Sequence, residues 1–226
     1  MSGSKAQADT LVAPQLIWDM PTRVFHWLLA ACVLGAWLSA GSERSRMLHL
    51  ALGYSAGVLV VWRVVWGFVG SRYARFSDFV KTPSSALAYL RGYLPAARRV
   101  GAMQSHYVGH NPAGGWAVLA LLAAVALAVA TGWVSYQDGS PELWCDLHGL
   151  VGKGIIVLVG LHVLAVVATG FMHGENLVRA MWTGRKRALP GQGIGFSYGV
   201  IGLALCAATG WFGWVVYTAR IPGLTT

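Results

Sequence analysis

The stretch Leu147-His148-Gly149-Leu150-Val151-Gly152, running on to Gly160-Leu161-His162-Val163, decides the fold. It places two histidines fourteen residues apart inside one long apolar run. On an α-helix fourteen steps of about 100° return to within about 40° of the start, so both side chains share a face. A rise of about 1.5 Å per residue separates them by roughly 21 Å along the axis. No single metal ion bridges that distance. Two sites stacked through a bilayer fit it, and each then needs a ligand from another helix.

The composition agrees. Of 226 residues, 56% are hydrophobic and only 11% charged, with eleven tryptophans. A soluble domain carries about 25% charge, so this balance predicts a protein of the lipid bilayer with aromatic anchors at its interfaces. The net charge of +9 does not point to nucleic acid, because the basic residues lie between apolar runs, as in cytoplasmic loops. Cys32, Cys145 and Cys206 are isolated, so no disulfide framework is readable. The absence of Cys-x-x-Cys-His excludes a covalent c-type haem, and the absence of any Cys-x-x-Cys pair removes the usual iron–sulfur and zinc patterns. Residues 1–23 are too polar for a secretory signal and read as a retained cytosolic segment.

Five runs reach the roughly 20 apolar residues needed to span a bilayer: about Val24–Ala40, Met47–Val69, Gly115–Tyr136, Cys145–Phe171 and Phe196–Thr218. Thr22 is the expected cap of the first. A polar connection over Gly70–Pro112 contains a short amphipathic helix around Ser84–Tyr93. With the N-terminus inside, the cytosolic segments hold twelve basic residues: Lys5, Arg23, Arg72, Arg75, Lys81, Arg91, Arg98, Arg99, Arg179, Arg185, Lys186 and Arg187. The outer segments hold three, Arg44, Arg46 and Arg220. The imbalance predicts a cytoplasmic N-terminus and a periplasmic C-terminus.

Depth then pairs the histidines. His49 opens the second span and His148 the fourth, both at the outer side. His26 opens the first span at the inner side, and His162 lies at the matching depth of the fourth. The pairs His49/His148 and His26/His162 each join two helices, as bis-histidine ligation of haem iron requires. Gly53 and Gly152 follow His49 and His148 by four residues, on the same helical face, where a flat macrocycle meets bare backbone. Arg63 comes fourteen residues after His49, a permanent cation at the inner depth suited to a propionate. His110, in Gly109-His110-Asn111-Pro112, reads as part of a turn and cap launching the third span. His106 lies in the same loop, and His173 reads as a surface residue. Trp27, Trp66, Trp116, Trp133, Tyr136, Trp214 and Tyr217 read as an interfacial belt. The residues alone leave open a haem-free histidine-relay transporter.

At these residues the sequence resembles the bacterial cytochrome b561 family, in the branch of nickel–iron hydrogenase cytochrome b subunits. The resemblance is carried by Trp18-Asp19-Met20-Pro21-Thr22-Arg23-Val24-Phe25-His26-Trp27, by His49 with Gly53-Tyr54, and by Arg63-Val64-Val65-Trp66-Gly67-Phe68-Val69-Gly70-Ser71. Arg75-Phe76-Ser77-Asp78-Phe79, Gly109-His110-Asn111-Pro112, and Glu175-Asn176-Leu177-Val178 with Thr183-Gly184-Arg185-Lys186 complete it. It implies an all-α membrane protein, a four-helix transmembrane haem-binding bundle over residues 24–188. Residues 1–23 form a cytosolic segment and residues 189–226 a fifth C-terminal transmembrane helix and tail. It also implies two non-covalent b-type haems, with His26, His49, His148 and His162 as iron ligands. The expected role is electron transfer across a bacterial inner membrane between quinone and a redox protein partner. That partner is a cytochrome c or a dehydrogenase or hydrogenase subunit, for which the chain would be the membrane anchor; a homo-oligomer is compatible with this. Gly149 departs from the resemblance, in which an acidic residue often follows that ligand, and implies an altered outer-site potential.

Overall fold

The computed structural model describes residues 12–93 and 107–219. In chain order they form β1 (Ala13–Leu16), α1 (Met20–Ser39), α2 (Arg46–Val69), the short α3 (Phe76–Phe79), α4 (Pro83–Arg91), α5 (Pro112–Ser135), α6 (Glu142–His173), the short α7 (Leu177–Thr183), β2 (Arg185–Ala188) and α8 (Gly199–Thr218). Helices α1, α2, α5, α6 and α8 are long and apolar enough to cross a membrane. Their outward faces agree: Phe171 is 86% and Val200 82% exposed, which a lipid environment tolerates and water does not. His106 lies outside the described residues.

Helix ends follow local chemistry. Helix α1 starts at Met20, four residues before the expected Val24, because Asp19 rather than Thr22 is the cap: its Oδ1 accepts from the Thr22 N–H at 2.7 Å. Pro21 fits the first turn, where no helical N–H is required. Thr82 and Asn111 cap α4 and α5 in the same way, each with a proline directly after it. Helix α6 runs 32 residues, about 48 Å, and ends at Gly174, whose φ of 64° is the left-handed geometry that favours glycine. Helix α8 begins at Gly199 instead of Phe196, since Tyr198 takes a left-handed conformation with φ 54° and breaks the run.

Asp19 also fastens α1 to α2. It is fully buried, and its Oδ2 accepts from Trp66 Nε1 at 3.1 Å and from the Ser71 hydroxyl. Trp66 is therefore not part of an interfacial belt: it is buried, because its indole N–H is spent inside the protein. Trp133 and Trp214 of the same set are exposed. Asp19→Asn keeps a capping oxygen but turns an amide donor towards two other donors, a mismatch worth about 1–3 kcal/mol. The expected result is a lower thermal unfolding midpoint in detergent, and an unchanged midpoint would contradict the network.

A two-stranded antiparallel ribbon, not foreseen from sequence, closes this end of the bundle. It pairs Ala13 with Ala188 through to Leu16 with Arg185. The Ile17 and Trp18 N–H groups donate to Gly184 O, that of Ile194 to Leu16 O, and that of Met20 to Ser197 O. Lys186, nearly buried, pairs with Glu175 Oε2 at 3.0 Å and donates to Tyr107 O at 3.2 Å. The segments before α1, after α7 and before α8 are thus one layer, here the ribbon end.

Helix α2 is central, flanked by α1, α5 and α8, while α6 packs along α5. The main core gathers Phe25 and Cys32 of α1, Ala56, Leu59 and Val60 of α2, Leu122 and Val125 of α5, Ile155 of α6 and Leu205 of α8. Helix α8 rests on α1 and α2, and glycines permit the approach: a Cβ on Gly202 would lie 2.6 Å from Met20 Cγ.

Candidate functional site

The four histidines of the apolar helices meet as two pairs. His26 of α1 and His162 of α6 have ring centroids 6.4 Å apart, near the ribbon end. His49 of α2 and His148 of α6 have centroids 5.9 Å apart, near the far end. Two metal–imidazole bonds of about 2 Å, with about 1.1 Å from nitrogen to ring centre on each side, require roughly 6 Å. Each pair is spaced for one metal centre between two rings. Among the described residues no group of three or more histidine, cysteine or acidic side chains forms a metal cluster, so both pairs suit a centre whose remaining positions are filled by something other than side chains.

The far-end pair is already oriented. His49 Nδ1 lies 2.8 Å from Ala36 O, and His148 Nδ1 3.0 Å from Ala128 O. A carbonyl oxygen only accepts, so each Nδ1 carries the proton and each Nε2 keeps its lone pair. Such second partners fix ring orientation and strengthen a ligand. Thr131, which donates to Leu127 O, adds an oxygen 3.4 Å from His148 Nδ1. At the ribbon-end pair, His26 Nδ1 is buried without a partner, a demand that a group from outside the chain would meet.

Open space lies beside the rings. A Cβ on Gly53 or on Gly152 would meet nothing within 4 Å, although both sites are only partly exposed. A flat ligand has room on those faces. Gly132 of α5 acts oppositely, since a Cβ there would sit 3.0 Å from His148 Cε1 and Nδ1. Its bareness lets the ring reach the Ala128 carbonyl. Sequence reading missed Gly132, Ala36 and Ala128, because backbone acceptors on another helix leave no side-chain signature. Between the pairs, Ile155 lies seven residues from each α6 histidine and is buried in the apolar core.

Arg63 of α2 is 2% exposed and lies at the ribbon end. Its Nη2 donates to Ala74 O at 3.0 Å, and Nη1 has no partner. Its Cζ lies 6.0, 5.3 and 5.6 Å from the ring centres of Phe25, Phe76 and Phe79. His110 is close by but does not cap α5, a task that falls to Asn111. Instead it packs against Trp18 and Phe79. Burial first, then Arg63 and Lys186, push its pKa down to about 3, so the imidazole is neutral at physiological pH. His173 is half-buried, 3.3 Å from the Tyr93 hydroxyl.

The profile of the prokaryotic cytochrome b561 family matches residues 17–184, a stretch that contains all four paired histidines. The chain belongs to this family. It is a multi-pass membrane cytochrome b of the electron-transport class. Relatives match it at modest identity. The cytochrome is 24% identical to the probable Ni/Fe-hydrogenase B-type cytochrome subunit of Rhizobium leguminosarum bv. viciae, over 75% of this chain and 87% of that protein. It is 27% identical to the corresponding subunit of Azotobacter chroococcum mcd 1, over 73% and 85%. It is also 27% identical to the probable Ni/Fe-hydrogenase 1 B-type cytochrome subunit of Escherichia coli (strain K12), over 59% of this chain and 65% of that one. No solved structure matches the cytochrome significantly.

Proposed function

We propose that this cytochrome carries electrons across the bacterial inner membrane between two b-type haems, one held by His26 and His162 and the other by His49 and His148. The observation that carries the reading is the spacing of about 6 Å within each histidine pair, repeated at two depths fourteen residues apart on α6. Haem, when bound, supplies one-electron chemistry at iron. The chain supplies the rest. Each histidine pair would hold the group with two imidazoles, the Ala36 and Ala128 carbonyls orient the far-end rings, and buried Ile155 adds apolar packing between the pairs. Arg63 offers a permanent cation to a propionate, and Gly53 and Gly152 offer bare backbone to a macrocycle.

The basic loops favour the ribbon end in the cytoplasm and the C-terminus in the periplasm. Quinone is the expected small electron carrier at one side. The names of the relatives favour a nickel–iron hydrogenase as the protein at the other, with the cytochrome as its membrane anchor. Haem content tests the core of this reading. Two haems per polypeptide by pyridine haemochrome, with a b-type α-band on reduction, are expected; a colourless protein purified from haem-replete cells would leave the histidine-relay transporter instead. Co-purification of a hydrogenase subunit would support the anchor role, and reduction by quinol followed by electron delivery to cytochrome c without such a subunit would refute it.

A further inference from the structure

His110 was read from the sequence as part of a turn, and the reading given above for the haems does not use it. Its ring lies 4.7 Å from that of Trp18 and 4.8 Å from that of Phe79, centre to centre. The Phe79 ring also carries the guanidinium of Arg63, with Cζ 5.6 Å from its centre. A histidine and an arginine therefore share one aromatic platform. Each has a buried nitrogen with no partner, Nδ1 of His110 and Nη1 of Arg63. Both lie at the ribbon end, where His110 is within electrostatic range of Arg63, His162 and His26.

Among the described residues the acids of this end have other partners: Asp78 pairs with Arg72 at 3.9 Å. Asp19 takes the Thr22 N–H on one oxygen, and Trp66 Nε1 and the Ser71 hydroxyl on the other. Glu175 pairs with Lys186. Arg63 Nη1 is a buried, permanently charged donor without an acceptor, and His110 becomes a second donor in the tautomer that carries its proton on Nδ1; a folded protein rarely leaves such groups unpaired. An anion with two acceptor oxygens satisfies both, and a haem carboxylate at the His26/His162 pair has that chemistry.

We propose that His110 and Arg63 together hold one propionate of the ribbon-end haem. Arg63 supplies the charge, and neutral His110 supplies a hydrogen bond through Nδ1–H. His110 is thereby a positioning residue that raises that haem's reduction potential. Reduction adds one negative charge to the centre, and a donor that draws off carboxylate charge favours the reduced form. Removing the donor disfavours it. The inference rests on the haem reading of His26 and His162.

The test is a redox titration of the purified two-haem protein followed by optical and EPR spectra. His110→Phe keeps the packing on Trp18 and Phe79 but removes the donor. It is expected to retain both haems and to disfavour reduction of one by about tenfold, a downward shift of about 59 mV for one electron. His110→Gln, which keeps a donor, is expected to recover most of that shift. Two unchanged potentials in His110→Phe, with both haems present, overturn the proposal and leave the haem reading intact. Should His110→Phe lose a haem, His110→Gln decides: retention near the parent potential supports the role, and loss there too overturns it. A parent protein without haem at this end overturns both readings, and the haemochrome count reveals that first.

Discussion

His148→Ala and His162→Ala are each expected to lose one haem and keep the other. The two residues sit on one helix, yet their partners come from different helices, α2 for His148 and α1 for His162. Roughly 21 Å of helix separates them, with buried Ile155 at the midpoint. Removing one ligand leaves the other pair untouched, because sites this far apart with no shared partner behave independently. The haemochrome count should fall from two to one in each variant, and different potentials should survive. Loss of both haems, or of neither, would contradict the two-site arrangement. His49→Ala should reproduce the loss seen in His148→Ala, and His26→Ala that in His162→Ala. A crossed result would mean that the pairs had been wrongly joined.

Gly132→Leu is expected to be nearly as damaging at the far-end site, although Gly132 is not a ligand. The first side-chain carbon would already stand 3.0 Å from two atoms of the His148 ring. The branched end needs several ångströms more, so the ring must swing away and surrender its bond of 3.0 Å to Ala128 O. Loss of a ligand's second partner typically weakens a metal site by about 10- to 100-fold, and displacement of the ring itself costs more. The far-end haem should be absent or under-occupied after purification, and the ribbon-end haem should be normal. Gly210→Leu is the control, since a Cβ there meets nothing within 4 Å and the position is exposed. Equal haem content in Gly132→Leu and Gly210→Leu would show that the close approach has no bearing on the site.

Much of this was legible in the sequence because hydrophobic length and histidine spacing are local, periodic signals. The five apolar runs, the short helix after Pro83 and the end of α6 near Phe171 depend on residue order alone. The pairing of histidines by depth needed only helical rise and alternating span direction, and the structure brings the same residues together. Departures cluster where distant segments meet. Thr22 resembled a cap until Asp19 proved to serve α1 and α2 at once. Trp66 resembled an interfacial anchor until that same carboxylate took its N–H. Arg185-Lys186-Arg187 read as a basic loop, yet it pairs with a strand beginning at Ala13.

The sequence by itself determined that this chain crosses a membrane on apolar helices and that one helix carries histidines at two levels, since burial in lipid and helical rise act along the chain. Tertiary structure alone decided which backbone carbonyls orient His49 and His148, which glycine makes room for a ring, and that Arg63 and His110 share Phe79. Those depend on atoms from separate segments, a dozen or more residues apart, held at distances that no spacing along one helix encodes.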